Sequence, residues 1–419
     1  MADRARIESM TGPTDLPSLP DARFAGLLDE ARTLQPTTVA LRRAVHRHPE
    51  VGLQLPVTQQ AVLDALDGLP IETTLGTTTT SVTGVLRGAE PGPAVLLRAD
   101  MDALPVHEET GLDFASEVPG VMHACGHDTH VAMLAGAARL LSEHVDELAG
   151  SVVFMFQPGE EGYHGARHMI HERVLDAAGT RVRSAFAIHT FANLPTGVVT
   201  TRSGPVLASA DSFAVRVIGK GGHGSMPHSA VDPIPAAAEI VTALQARVTR
   251  TVNVFDPAVV SVTRIAGGTT SNVIPESAEL EGTIRTLSEH TRAQLRKDVP
   301  RVSEQIGEAH GCRVVADVTP GFPVTVTDET ETQRVLDLAA EVLGVERSQH
   351  MPNPIMGAED FSYVLQRVPG AFAFLGACPP DLDPAEAPPN HSNRVRYDEA
   401  ALAHGVAMYA AYALDCLRK

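Results

Sequence analysis

The stretch PAVLLRADMD (93–102), read together with HDTHVAMLAGAARLLSEHV (127–145) and SVVFMFQPGEEG (151–162), decides the fold. The first segment is a continuous aliphatic run that ends in charge, as a buried central strand of a parallel sheet does. The second puts Val131, Leu134, Ala138 and Leu141 on one helical face, with Asp128 as the expected N-cap. The third is another buried strand that gives way to a polar loop. AGTRVRSAFAIHT (178–190) repeats the strand pattern, ending at His189. This alternation predicts an α/β fold, a mainly parallel sheet with helices on both faces.

Upstream, residues 22–48 carry a helical pattern (Leu27, Leu28, Ala31, Leu34, then Val39, Leu41, Val45). Residues 57–67 read as a second helix and TTTTSVTGVLRG (77–88) as a strand. Downstream of about residue 206 the character changes. ADSFAVRVIGK (210–220) alternates polar and apolar, and PIPAAAEIVTALQARV (233–248) is helical. PAVVSVTRIAGG (257–268) and AELEGTIRTL (278–287) are strands, HTRAQLRKDVPRVSEQIGEAHG (290–311) is an amphipathic helix, and CRVVADVTPGFP (312–323) is a strand. That β-α-β-β-α-β order predicts a ferredoxin-like α+β satellite domain. The expected organisation is a loose N-terminal arm over 1–20, a catalytic domain over 21–206 and 323–419, and an inserted satellite domain over 207–322.

The chain has 419 residues, enough for two to three domains. Its 33 Lys+Arg against 51 Asp+Glu leave a net charge of −18, which argues against a nucleic-acid partner. No Trp and 4% aromatics argue against a base-stacking platform. The four cysteines, Cys125, Cys312, Cys378 and Cys416, are widely spaced and indicate reduced thiols, hence a cytoplasmic protein. The N-terminus has no apolar signal region, and no apolar run reaches the ~20 residues of a membrane span.

Chemistry concentrates in MHACGHDTH (122–130), where thiol and imidazole groups suit a borderline-soft divalent metal. Taken alone, this loop is as well explained by a core cysteine in a polar turn. QPGEEG (157–162) adds Glu160 and Glu161 at a strand's carboxyl end, where α/β sheets place their sites. One can bind metal while its neighbour acts as general base; an isolated pair would be a solvated surface feature. His189 ends a strand, and His391 lies in the loop PPNHSNRVRYDE (388–399). Together these residues suffice for a two-metal site.

RADMDALPV (98–106), MHACGHDTH, QPGEEG, AIHT, GKGGHGSMPH (219–228), GGTTSNVIP (267–275), GTIRT (282–286) and GAEDFSY (357–363) follow one another in order. In these the chain resembles the metal-dependent amidohydrolases of the aminoacylase and carboxypeptidase group, in the branch of hippurate and indole-acetyl-amino-acid hydrolases. The resemblance covers about residues 30–415. It implies that Cys125, His127, Glu161, His189 and His391 hold two divalent ions, with Cys125 bridging as thiolate. By ligand type the ions are Zn, Mn, Co or Ni. It implies that Glu160 activates a metal-bridging water and returns the proton to the leaving amine. His223 is implied to stabilise the oxyanion across a dimer interface, and Asn272 and Arg285 to hold the substrate, with Arg285 on a free carboxylate. Asp100 is read as orienting a metal-bound His, and Glu359 as lying near the site.

Two departures concern specificity. Tyr163, His164 and His168 stand where the branch often has glycines, so they narrow the acyl pocket or add a hydrogen bond. HSN replaces a more usual proline and aromatic after HS. The expected reaction is hydrolysis of N-acyl amino acids, a small-molecule substrate, by a homodimer or higher homo-oligomer. The alternatives are a dipeptidase or carboxypeptidase on the same scaffold, a Cys125–His127 nucleophile, and a non-catalytic binding protein.

Overall fold

A computed structural model describes residues 23, 24 and 26–418; the arm expected over 1–20 lies outside the described residues. The predicted central strand forms as Glu90–Asp100, and its seven carboxyl-terminal residues are all buried. It pairs in parallel with Ala149–Gln157 on one side and Val182–Phe191 on the other. The latter pairs in parallel with Gly370–Gly376. Antiparallel pairings add Val82–Arg87 and Ile71–Leu75 at one edge, and Val199–Thr201 with Ser348–His350 completes eight strands at the other.

Both faces are covered, and each has its own core. One holds the helices Leu27–Thr33, Gln35–Arg47, Pro56–Leu66, His127–Glu143, Glu329–Leu343 and Ala401–Leu417. The short helices Gly165–His171 and Ser362–Leu365 lie on the other. The helical pattern read over 22–48 is thus two helices, the second carrying Pro36 in its first turn, where a missing N–H costs nothing. Ala401–Leu417 is buried at every position but Asp415 because it is enclosed by sheet and helices. From it, the Tyr409 hydroxyl donates to the Arg98 carbonyl at 2.7 Å and accepts from the Ile188 N–H at 3.1 Å, joining two central strands.

A second sheet has four antiparallel strands ordered Ala258–Gly267, Ser277–Thr286, Asp211–Ile218, Arg313–Pro320. Asp211–Ile218 alternates buried and accessible residues along its length, as the period-two pattern requires. Two helices, Pro233–Thr251 and Glu289–Ala309, close its core. The first and last residues of this sheet, Asp211 and Pro320, are register partners. Gly222–His223 forms a separate two-residue pairing with Val273–Ile274.

Asp128 does not cap its helix. Gly126 occupies the N-cap with φ +85, and Asp128 is fully buried inside the first turn. Its Oδ2 accepts from Arg42 Nε at 3.0 Å and faces His46 Nδ1 at 2.9 Å. The other ring nitrogen of His46 lies 3.2 Å from Glu108. Burial opposes a charge on His46, but Asp128 and Glu108 outweigh both burial and Arg42, raising its pKa from 6.5 to about 9. A raised folded-state value stabilises the fold fully below pH 6.5, and the contribution disappears as pH rises through about 9. It is worth on the order of 3 kcal/mol. The thermal midpoint should therefore fall across this alkaline window. A His46→Gln variant, destabilised at neutral pH, should show a flatter profile; parallel profiles would refute the assignment.

Candidate metal centre

The parallel strands Glu90–Asp100 and Ala149–Gln157 end flush, with Asp100 opposite Gln157. The loops that follow them carry Asp102 and the Glu160–Glu161 pair. His189 stands near the end of the adjoining strand, opposite Phe374. Cys125 and His127 flank Gly126 at the start of a helix. A side chain at Gly126 would meet Thr190 Oγ1 at 2.6 Å and the Tyr397 ring at 2.9 Å, so only glycine allows this turn. His391 arrives from a distant loop. Its N–H donates to the Ala124 carbonyl at 2.8 Å, while Asn390 Nδ2 donates to the carbonyls of Cys125 (3.2 Å) and Thr190 (2.9 Å).

The structure brings together all five residues expected as ligands. Cys125 Sγ lies 3.3 Å from His189 Nε2 and 3.2 Å from His391 Nε2. His391 Nε2 is 3.4 Å from Glu161 Oε1, and His127 Nε2 is 4.0 Å from the same oxygen. Cys125, His127 and His189 form one compact donor group, and Cys125, Glu161 and His391 another. The outward nitrogens fix the tautomers. His127 Nδ1 donates to the Asp102 carbonyl at 2.8 Å and His189 Nδ1 to the Thr190 carbonyl at 2.9 Å, leaving each Nε2 lone pair facing the cluster. His127 Nε2 and Glu161 Oε1 are buried with no hydrogen-bond partner. Buried polar atoms without partners are costly, and a cation between them removes that cost. Two overlapping groups of thiol, imidazole and carboxylate donors suit two divalent ions.

Glu160 sits beside the cluster, 6% exposed. Burial first, then the carboxylates of Glu359, Glu161 and Asp360, push its pKa well above the usual carboxylate range. That is the setting of a group able to take up a proton. Asp100 faces His127 Nε2 at 3.6 Å and approaches His130 Nδ1 more closely, at 2.5 Å.

Two residues hold the site together: Asp102, which the sequence offers either as orienting a metal-bound His or as capping loop N–H groups, does the latter, and Arg98 was not singled out. Asp102 accepts the backbone N–H of Glu160 on one oxygen and of Glu161 on the other, each at 2.9 Å, so one carboxylate sets the pose of both glutamates. Arg98 is fully buried and binds Gln157 (2.9 Å), Asp100 (2.6 Å), Glu359 (2.9 Å) and Asp360 (3.0 Å). The alternation of charge in RADMD was the available signal: an arginine at an inward position of a buried strand must find carboxylates.

A cavity of about 450 Å³ opens over the cluster, walled by Glu160, Arg285, Glu359 and the apolar side chains Phe191, Leu207, Phe322, Ile355 and Phe374. Of the chain's few aromatic residues, Phe191, Phe322 and Phe374 line it. Phe361 and Phe372 are instead buried in the core, and Tyr163 is exposed and packs over Gly52. Arg285 is half-buried and makes no hydrogen bond or ion pair among the described residues. Asn272 and His223 are exposed and do not border the cavity; they lie side by side through the pairing of Val273 with His223. His223 Nδ1 is engaged by Ser225.

A thiol, three imidazoles and a glutamate within metal-binding reach of one another make the donor set of a divalent-metal site. Comparison with known proteins gives the class of protein. The pattern of peptidase family M20/M25/M40 matches residues 96–415, and the chain belongs to that family. It is 39% identical to thermostable carboxypeptidase 1 of Saccharolobus solfataricus over 94% of this chain and 98% of that one. It is 38% identical to N-acetylcysteine deacetylase of Bacillus subtilis over 81% and 87%. The crystal structure of the Bacillus subtilis YXEP protein, a dinuclear metal binding peptidase, superposes with a TM-score of 0.79 at 34% identity, covering 92% of this chain and 99% of that one. The chain is therefore a metal-dependent amide hydrolase with a mixed α/β fold. No described helix is long and apolar enough to cross a membrane.

Proposed function

We propose that the protein hydrolyses the amide bond of N-acyl amino acids, releasing a carboxylic acid and a free amino acid. One observation carries this reading. Arg285 is an unpaired cation in the wall of a cavity whose own carboxylates are all committed. Of these, Glu161 belongs to the ligand set, Glu160 is the base, and Glu359 is held by Arg98. The wall thus offers a partner for a substrate carboxylate and no free acid for a substrate α-ammonium.

In this reading Cys125, His127, Glu161, His189 and His391 would hold two ions, with the Asp102 and Thr190 carbonyls orienting His127 and His189 and Asp100 bound to His130 behind them. When bound, the ions supply a Lewis acid for the scissile carbonyl and lower the pKa of the attacking water. Glu160 takes a proton from that water and returns it to the departing nitrogen. Arg285 receives the α-carboxylate and the apolar wall receives the acyl group. His223 and Asn272, exposed on their own chain, serve a neighbouring subunit's site, His223 as donor to the oxyanion and Asn272 to the substrate; the assembly is a homodimer or larger. The four cysteines, all buried and unpaired, agree with a cytoplasmic location. Zn, Mn, Co and Ni all suit the donor set.

The test is amino-acid release from N-acetyl, N-benzoyl and indole-acetyl amino acids and from dipeptides, with added metal and with chelator. Metal-dependent turnover of the acyl conjugates, silenced by chelator, is expected. The name of the carboxypeptidase relative keeps peptide cleavage as a second reading, and preference for dipeptides would establish it. Turnover insensitive to chelator would instead point to Cys125 as a nucleophile, and metal binding without turnover of any substrate to a binding protein.

A further inference from the structure

Three aromatic side chains gather where the catalytic cavity meets a second one of about 290 Å³. The two cavities share Ala210, Arg285 and Phe322. Phe322 is buried, and its ring is braced from two sides. His164 meets it edge-on with centroids 5.0 Å apart, and Tyr363 meets it at 6.4 Å. The Tyr363 hydroxyl lies 3.0 Å from His164 Nδ1 and 3.3 Å from the carbonyl oxygen of Gly321, the residue before Phe322. His164 holds this pose with φ 59 and ψ 37, a left-handed backbone that glycine adopts freely and a histidine does not. Such strain persists where the surroundings impose it, and it gathers at ligand clamps.

The charges of the second cavity are accounted for. Asp211 is bound by Arg292 through two 2.8 Å contacts, and Arg285 is the receiver of the substrate carboxylate. Besides the His164 imidazole, what remains around Phe322 is apolar or hydroxylic: Ala210, Gly321, Thr283, Ser212 and Thr319 among others. Because Arg285 borders both cavities, a carboxylate bound to it would bring the substituent of the neighbouring Cα to their shared wall. The apolar Phe191, Ile355 and Phe374 are on the first cavity only.

We propose that the second cavity receives the side chain of the substrate's amino-acid half, that it selects uncharged side chains, and that Phe322, braced by His164 and Tyr363, limits their size. The inference rests on the N-acyl amino acid reading above. Its test compares kcat/KM for wild type, His164→Gly and Phe322→Leu on two series. One varies the amino acid (N-acetyl-alanine, -leucine, -phenylalanine, -glutamate, -lysine). The other varies the acyl group on alanine (acetyl, benzoyl).

In wild type, leucine should exceed glutamate and lysine. In both variants the phenylalanine-to-alanine ratio should rise about tenfold, mainly through KM, as a relaxed pocket admits a larger group. The benzoyl-to-acetyl ratio should stay within about twofold. His164→Gly removes a strained side chain, so its thermal midpoint should not fall, which separates a lost brace from a damaged fold. Phe322→Leu tests the same wall should the glycine variant fail to fold. Side-chain ratios unmoved in both variants, a shift in the acyl series instead, or equal use of charged and uncharged amino acids would overturn the assignment while leaving the parent reading standing. A wild-type protein that releases amino acid from none of these conjugates overturns both.

Discussion

Glu160→Gln should lower kcat by about a thousandfold or more while the protein keeps its metal. The loss is that of a group that moves a proton in both directions during one turnover. Glutamine keeps the shape and the weak contact that Glu160 Oε1 receives from the Asp360 N–H at 3.4 Å, but it cannot take up a proton. The sulfur-centred donor groups do not depend on it: Cys125, His127 and His189 form one, and Cys125, Glu161 and His391 the other. Metal analysis and steady-state kinetics on one preparation therefore separate the base from the ligands. Residual kcat within about tenfold of wild type would show that another group carries the proton. Loss of metal together with activity would mean that Glu160 is a ligand.

Arg98→Ala should be the most destabilising single substitution in the larger sheet. Arg98 is 1% exposed and stands among Asp100, Glu359 and Asp360, themselves at most 2% exposed. Against the cost of burial, Arg98 with His127 and His130 holds Asp100 well below the usual carboxylate range. Burial and mutual repulsion push Glu359 and Asp360 up despite it. Removing the guanidinium leaves three buried carboxylates without their shared cation, and breaking a buried ion pair in this way costs about 3–5 kcal/mol even for one partner. Denaturant unfolding at neutral pH should show at least that loss. Arg98→Lys should recover only part of it, because an ammonium cannot reproduce the planar fork that reaches all three. An alanine variant as stable as wild type would mean that the carboxylates are already largely protonated.

The strand–helix alternation around residue 100 was legible because burial on both faces leaves unbroken aliphatic runs, and those runs end where the charged loops begin. Cys125, His127, Glu160, Glu161, His189 and His391 could be picked out because ligand-type residues at strand ends are few. What stayed hidden depends on distant partners. Asp128 looks like a cap in sequence, and only the approach of Arg42 and His46 explains why it lies inside the turn instead. Arg98 is one charge among many until residues 359 and 360 arrive beside it. Phe322 and Phe374 reach the cavity from segments with no local signature, whereas Phe361 and Phe372, equally aromatic, are taken by the core. The separation of His223 and Asn272 from the cavity beside Cys125 likewise follows from tertiary placement, which spacing along the chain does not encode.

The pairing of Asp211 with Pro320 has a consequence for how the chain folds. The strands Val182–Phe191 and Gly370–Gly376 must meet across a very long intervening segment, and such distant parallel pairings are slow to form. The four-stranded sheet lies wholly within that segment and brings its own two ends together. Once it forms, everything between Asp211 and Pro320 drops out of the loop that remains to be closed, and the entropy of closure falls accordingly. The smaller sheet thus acts as an internal splint that shortens the loop to be closed before His391, on its far side, can join Cys125.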